Sequence, residues 1–415
     1  MGTLEIIFLI LIFVFSLGEI IRFDLVNGLF IKAVDTVAIF LVLIYLIKNI
    51  KIIKFNQLFK VKFTFPIFLF FIVGLISLVI NFGSLKINEF FFSLSYLLRW
   101  VLYAGVYFVV NGFSLRFKNK IIYLLIISGG LLVLFGFIQY FFYASLGNLF
   151  YLGWDEHMYR LFSTFLDPNF VGAFYVLYLI FILGFFSYYL KNKKNILAVF
   201  AFFTILVLTM SSIYLTFSRS ALIMLFVSIF SFSMLTKKIK LFFGLIAISL
   251  LVIFISSKNF YIENINLFRT FSSNERLKSA KDAIVIIEKK PILGIGFNSY
   301  RYAQVRYNLR SHENAFNKYS HADAGTDNSF LFVLATTGII GFGAYLYLLY
   351  KMIKYSFVKY KTSKKYSFDY FLSVIVISSF AGIIVDSMFI NSLFYSFIMI
   401  WIWIIVGLFG SDRRY

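Results

Sequence analysis

The 415-residue chain contains no cysteine, so neither disulfide staples nor thiolate metal sites are open to it. Histidines and carboxylates nowhere cluster at metal-ligand spacing, so the sequence gives no basis for a bound metal, and no cofactor is expected. Charged residues are sparse, at 14% of the chain, and no internal repeat or low-complexity tract interrupts it. The net charge of +21 raises the question of nucleic acid, but no groove-reading element accompanies it, and no nucleic-acid partner is expected.

Apolar surface is what the chain has in abundance. Hydrophobic residues supply 61% of it and aromatics 22%, far more than a soluble fold of this length can bury. Runs of about 17–22 mostly apolar residues suit a hydrocarbon layer roughly 30 Å thick at about 1.5 Å per residue. Twelve occur, at about 4–21, 31–47, 65–82, 90–110, 121–143, 168–190, 196–215, 219–236, 240–256, 327–350, 369–388 and 390–410. They predict an all-α, polytopic bundle of about twelve spans, a single integral membrane domain over 1–415. The first run lacks a basic n-region and a clear cleavage site and leads into eleven more, so it reads as a retained helix rather than a signal peptide.

The basic residues divide between the two sides of this bundle. One side holds Lys48, Lys51, Lys54, Lys60, Lys62, Arg116, Lys118, Lys120, Lys191, Lys193, Lys194, Lys237, Lys238 and Lys240. It continues with Lys351, Lys354, Lys359, Lys361, Lys364, Lys365, Arg413 and Arg414, making 22 of the 39 basic residues. Only Glu5, Asp369 and Asp412 oppose them there, leaving that side near +19 and the other near +2. By the positive-inside rule the lysine-rich side is cytoplasmic, with both termini on it.

Nine of the twelve arginines fall on the opposite side. That side also carries the two long loops, about 144–167 and about 257–326, the latter between spans 9 and 10. Arginine offers a rigid, permanently charged, bidentate fork that matches phosphate, so the asymmetry points to an outward anion site. Within the larger loop, Asn274 to Lys290 places Leu277, Ala280, Ile284 and Ile287 at helical spacing and stops before Pro291, which predicts an amphipathic helix at the outer interface. Gly294 and Gly296 follow without the remaining residues of a phosphate loop and read as a turn.

Three inward-running helices begin on this outer side, where the positive ends of their dipoles lie. One starts DPNFVG, with Asp167 as N-cap and Pro168 at the first helical position. Another starts TFSRSAL, with Ser218 as cap and Arg219 inside. The third starts TDNSFLF, with Thr326 or Asp327 as cap. Helix N-termini beside arginines form a cradle for a pyrophosphate group.

Four stretches resemble the O-antigen ligase/polymerase superfamily, which includes Wzy-type polymerases and WaaL-type ligases: RLFSTFLDPNFVG from Arg160, TFSRSAL from Thr216, SSNERLKSAKDAIVIIEKKPILGIGFNSY from Ser272, and TDNSFLFVLATTGIIG from Thr326. The resemblance covers roughly 155–345. It implies metal-independent glycosyl transfer at the outer face of the bacterial cytoplasmic membrane, with polyprenyl-diphosphate-linked glycans as donor and acceptor, membrane lipids around them and a chain-length regulator as a further partner. Arg160, Arg219 and Arg276 would hold the diphosphate, supported by Asp167, Asn169, Asn328 and Arg301. Ligase-type members carry a histidine just before the asparagine that opens the tenth span, eleven positions ahead of a glycine. Here Asp327 stands there, eleven ahead of Gly338, and the nearest histidine is His321, with His312 farther into the loop. The general base is therefore Asp327 or His321. The departure favours a polymerase of surface polysaccharide, O-antigen or capsule, over a ligase that moves glycan to lipid A core or protein. A flippase or transporter would be expected to place charges near the midplane and to show two related halves. Only Arg99 lies roughly mid-span, with Asp35 and Asp386 nearer the outer ends.

Overall fold

The computed structural model describes residues 2–26, 29–49, 61–192, 195–240, 242–244, 246–247, 266–267, 271–309 and 325–409. Eleven of the twelve apolar runs lie on helices, and the ninth, about 240–256, falls mostly outside the described residues. The order opens with α1 (Thr3–Leu17), a hairpin of β1 (Arg22–Val26) and β2 (Leu29–Lys32), α2 (Ala33–Asn49) and α3 (Thr64–Ile80). It continues with α4 (Ile87–Gly112), α5 (Leu115–Phe142), α6 (Pro168–Asn192), α7 (Ile196–Leu215) and α8 (Arg219–Thr236). The loop helices α9 (Phe271–Lys289) and α10 (Tyr300–Arg306) precede α11 (Ser329–Thr362), α12 (Phe368–Asp386) and α13 (Ser396–Gly407). Among the described residues, α4 to α8, α11 and α12 are long and apolar enough to cross a membrane, and α1, α3 and α13 are shorter apolar helices. The fold is an all-α, polytopic membrane bundle.

A helix that is apolar all round belongs inside a bundle, and α6 is that helix: from Val171 to Ile182 every side chain except that of glycine is buried, almost all at or near zero exposure. Trp401 of α13 meets the rings of Phe174, Phe181 and Phe15. Lipid-solvated helices gain nothing from hydrophobic burial against one another, so close backbone approach matters more. Between α8 and α12 it comes from Gly382, where an added Cβ would sit 1.9 Å from the Ser228 hydroxyl.

The hairpin departs from the all-helical expectation. β1 and β2 pair antiparallel, with Arg22 opposite Lys32. The local sequence signal is weak, and the hairpin is fixed by its ends. Lys32 Nζ donates to Glu19 at 2.5 Å, and the Arg99 guanidinium donates to the Phe30 carbonyl at 2.5 Å.

The loop helix forms as expected but with a different buried stripe. Ala283 and Ile286 are fully buried, whereas Leu277 and Ile284 are 56% and 48% exposed. Arg276, Ser279, Ala283 and Ile286 recur every three or four residues and so share one face. Ser279 fixes that face on the start of α11, donating to Thr326 Oγ1 at 3.1 Å and accepting the Asp327 N–H at 3.2 Å.

Behind α9, the turn at 291–296 enters a break in α11. Gly338 adopts φ 63°, ψ −170° inside that helix, a left-handed conformation that glycine takes at little cost. The break leaves backbone groups without helical partners, and the turn supplies them. Ile295 N–H donates to Ala335 O at 3.0 Å and Gly296 N–H to Thr336 O at 3.1 Å, while Ile339 N–H reaches Pro291 O at 2.9 Å. From α3, Ser77 donates to Leu293 O and Thr336 O, and Asn81 donates to Gly294 O. The glycine pair is thus a structural turn that joins the loop to the bundle.

Candidate functional site

The starts of α6, α8 and α11 and the Arg276 face of α9 converge at one end of the bundle. Asp167 caps α6: its Oδ1 accepts the N–H groups of Asn169 at 2.7 Å and Phe170 at 3.2 Å. Ser218 occupies the cap position of α8, but its hydroxyl is turned to Ser220, 3.2 Å away, and does not cap. At α11 the cap is neither Thr326 nor Asp327. It is Asn328, whose Oδ1 accepts from Phe330 N at 2.9 Å and Leu331 N at 3.0 Å, while its Nδ2 donates to Met388 O. With Asn328 satisfying the helix end, the Asp327 carboxylate is left out of the capping, while its N–H is held by Ser279.

Arg160 is the most enclosed of the three arginines, at 5% exposure. Its Nε donates to Thr216 O at 2.8 Å and one Nη to Asn169 Oδ1 at 3.1 Å. It therefore ties the 144–167 loop both to the turn before α8 and to the first turn of α6, which brings Arg219 and Asp167 into one neighbourhood. Gln139 of α5 secures the same loop, its Oε1 accepting Phe162 N–H at 2.7 Å and Ser163 N–H at 3.1 Å. Left-handed φ values at His157, Tyr159, Ser163 and Leu166, and at Phe217 just before α8, are concentrated here. Non-glycine residues in that region cost of order 1–3 kcal/mol each, a strain typical of functional sites.

Arg276 is the electrostatic hub. It interacts with Arg219, Asp167, Asp327 and Asp386, and Arg160 interacts with Asp167. The structure thus brings Arg160, Arg219, Arg276, Asp167, Asn169, Asp327 and Asn328 together. Arg301 stands on α10 beside the fully buried Tyr300, and His321 and His312 lie outside the described residues. Surrounding protein raises the Asp167 carboxyl above the usual carboxylate range, against the pull of the Asn169 N–H, Arg160, the Phe170 N–H and Arg276. Asp327 is also raised, chiefly by desolvation, with Arg276 opposing and Asp167, Asp155 and Glu275 adding to it. A carboxylate with a raised pKa is a stronger proton acceptor near neutrality.

Two further residues join the cluster without a local sequence signal. Asp386, at the end of α12, is completely buried beside Ser220 and Ser392, and neither carboxylate oxygen finds a hydrogen bond of ordinary geometry from a described residue. His157 faces Asp167, with Nε2 3.9 Å from Oδ2. Their approach is tertiary, across 166 and 10 residues of chain from Ser220 and Asp167 respectively, and only the position of Asp386 at the end of its span hinted at it. Among the described residues no group of histidines and carboxylates has the arrangement of a metal site.

The assembly is a set of guanidinium groups, proton-accepting carboxylates and helix N-termini at one membrane-facing end, suited to binding an anion and moving a proton. A family model described as O-Antigen ligase matches residues 204–346, a stretch holding Arg219, Arg276, Asp327 and the α11 break. No curated protein matches the chain. Over that stretch, about a third of its length and carried on an all-helical polytopic fold, the chain is similar to the O-antigen ligase family.

Proposed function

We propose that the chain polymerises polyprenyl-diphosphate-linked oligosaccharide repeat units into surface polysaccharide at the outer face of the bacterial cytoplasmic membrane, without a metal. The observation that carries this reading is the arginine cluster around Arg276, set beside Asp327 at converging helix starts. The bond from the anomeric carbon to the donor diphosphate breaks, its electron pair leaving with the diphosphate oxygen. Arg219 and Arg276 neutralise the charge that develops there, and Arg160 holds the cradle in shape. The acceptor hydroxyl oxygen bonds to the anomeric carbon and passes its proton to Asp327. Asp327 occupies the position where ligase-type relatives carry histidine, which favours polymerisation over transfer to lipid A core or protein.

Purified protein in lipid vesicles, given a lipid-linked repeat unit as sole substrate, tests the reading. A ladder of longer lipid-linked glycans is expected. Transfer only when lipid A core or an acceptor protein is added would make the enzyme a ligase, and lipid-linked sugar crossing the bilayer unchanged would make it a transporter.

A further inference from the structure

The arginines and Asp327 leave His157 unexplained. It is the one histidine among the described residues and lies in the 144–167 loop with φ 48° and a side chain only 11% exposed. Asp167 Oδ1 is committed to the N–H groups of Asn169 and Phe170, so the direction of its other oxygen is set by the start of α6. That second oxygen, Oδ2, faces His157 Nε2 at 3.9 Å. The His157 carbonyl accepts the Arg160 N–H at 3.2 Å, which ties the histidine to the most enclosed arginine of the cradle. A carboxylate facing an imidazole stabilises its protonated form, so the site offers the diphosphate a further cation whose charge depends on pH.

We propose that His157 is a further catalytic residue, an imidazolium held by Asp167 that hydrogen-bonds the departing diphosphate and protonates its leaving oxygen. This rests on the diphosphate-cradle reading above. As the anomeric C–O bond breaks, the electron pair stays on the diphosphate oxygen, which takes the proton from His157. The acceptor proton goes to Asp327, so the two groups end the cycle neutral and exchange protons with water to reset. The titratable and charged groups next to His157 are Asp155 and Glu156 on its own loop, Asp167 at α6 and Arg160; beyond them Arg276 from α9 acts on Asp167, and Asp155 acts on Asp327 at α11. Arg160 beside His157 opposes a further positive charge there, and a bound diphosphate reverses that, so binding draws a proton onto His157.

The direct test measures undecaprenyl diphosphate binding to the detergent-purified full chain between about pH 5 and 8, the range in which an imidazole titrates. Binding to the parent should weaken by about tenfold more across this range than binding to His157→Gln, as one charge-assisted hydrogen bond is lost with the proton. Ionisation of the diphosphate itself is common to both proteins and cancels in the comparison. Asp167→Asn, which keeps the helix cap, should move the pH dependence of binding to lower pH. In the transfer assay, His157→Gly suits the left-handed φ and should regain turnover when free imidazole is added. The same pH dependence in parent and His157→Gln overturns the proposal, as does a turnover loss in His157→Gly that imidazole does not restore. No undecaprenyl diphosphate binding by the parent overturns both His157 and the cradle. Normal pH-dependent binding without glycan extension sinks the polymerase reading alone.

Discussion

Two charge clusters lie at the same end of the bundle, on either side of the Phe170–Tyr395 ring stack with centroids 4.2 Å apart, and they are resolved in opposite ways. On the hairpin side each charge meets its partner directly. Glu19 pairs with Lys32 at 2.5 Å and with Arg22 at 3.9 Å, and Asp35 pairs with Arg99 at 3.3 Å. Asp35 also accepts the Lys32 N–H at 2.9 Å and the Tyr103 hydroxyl. On the α6–α8–α11 side Arg276 acts through space on Arg219, Asp167, Asp327 and Asp386 at once, and Asp167 is shared between Arg160, Arg276 and His157. A buried charge set that closes on itself is structural, because losing either partner leaves an uncompensated ion. A set in which several guanidinium groups share the same carboxylates keeps positive charge to offer an anionic ligand.

The comparison is most exposed at Asp327. Asp327→Asn should cut turnover by roughly 10²–10⁴-fold, the range for a general base, and leave thermal stability unchanged because Asn328 makes the cap. The base must be ionised to accept a proton, so the parent rate should fall as pH drops through the raised Asp327 pKa, and this acid limb should vanish in the variant. A rate within threefold of the parent at every pH would remove Asp327 from the reaction.

On the closed side the effect should fall on folding. Asp35→Asn should destabilise by about 3–5 kcal/mol, as expected for one partner of a buried pair, read as lower thermal stability and folded yield. Turnover per folded molecule should stay near the parent value; a selective turnover defect would mean that both clusters serve the substrate. Gly338→Ala tests the support beneath the open cluster, since its Cβ would meet Ile292 O at 2.2 Å on a backbone with φ +63°. A loss of about 1–3 kcal/mol is expected, with displaced α9 and weakened undecaprenyl diphosphate binding; parent-like stability and binding would show that the break tolerates a side chain.

A smaller effect is expected from Arg219→Lys. Lysine keeps the charge but loses the planar fork, so turnover should drop by about tenfold to a hundredfold. Parent-like turnover would reduce the cradle to simple charge steering. The smallest is chelation: EDTA should leave activity unchanged, because guanidinium groups supply the positive charge, and a loss restored by magnesium or manganese would overturn the mechanism.

The helical framework was legible because membrane thickness imposes a length on every apolar run, and α6 to α8 begin where Pro168, Ile196 and Arg219 mark them. The cap at Asp167 and the gathering of Arg160, Arg219 and Arg276 were readable from loop chemistry and shared side. What escaped depends on tertiary approach. The hairpin is held by Glu19, in the turn just before it, and by Arg99 from the distant α4, and the buried face of α9 is chosen by the start of α11 and not by its most apolar stripe. Asn328 rather than Asp327 caps α11 because its amide also reaches Met388 O, a partner sixty residues away. Asp386 and His157 carry no local pattern, since what distinguishes them is who faces them.

The break in α11 bears on how the chain is built into a bilayer. Hydrocarbon offers no partner for exposed backbone groups, each costing several kcal/mol. The carbonyls of Ala335 and Thr336 and the N–H of Ile339 are satisfied by residues 291–296. The span cannot settle as an independent helix on leaving the insertion machinery. Its final state requires residues 291–296 to dock into the break, where Ser77 and Asn81 also bond them. The turn that follows the Arg276 helix therefore completes this span, and shortening it is expected to lower folded yield before it lowers turnover per folded molecule.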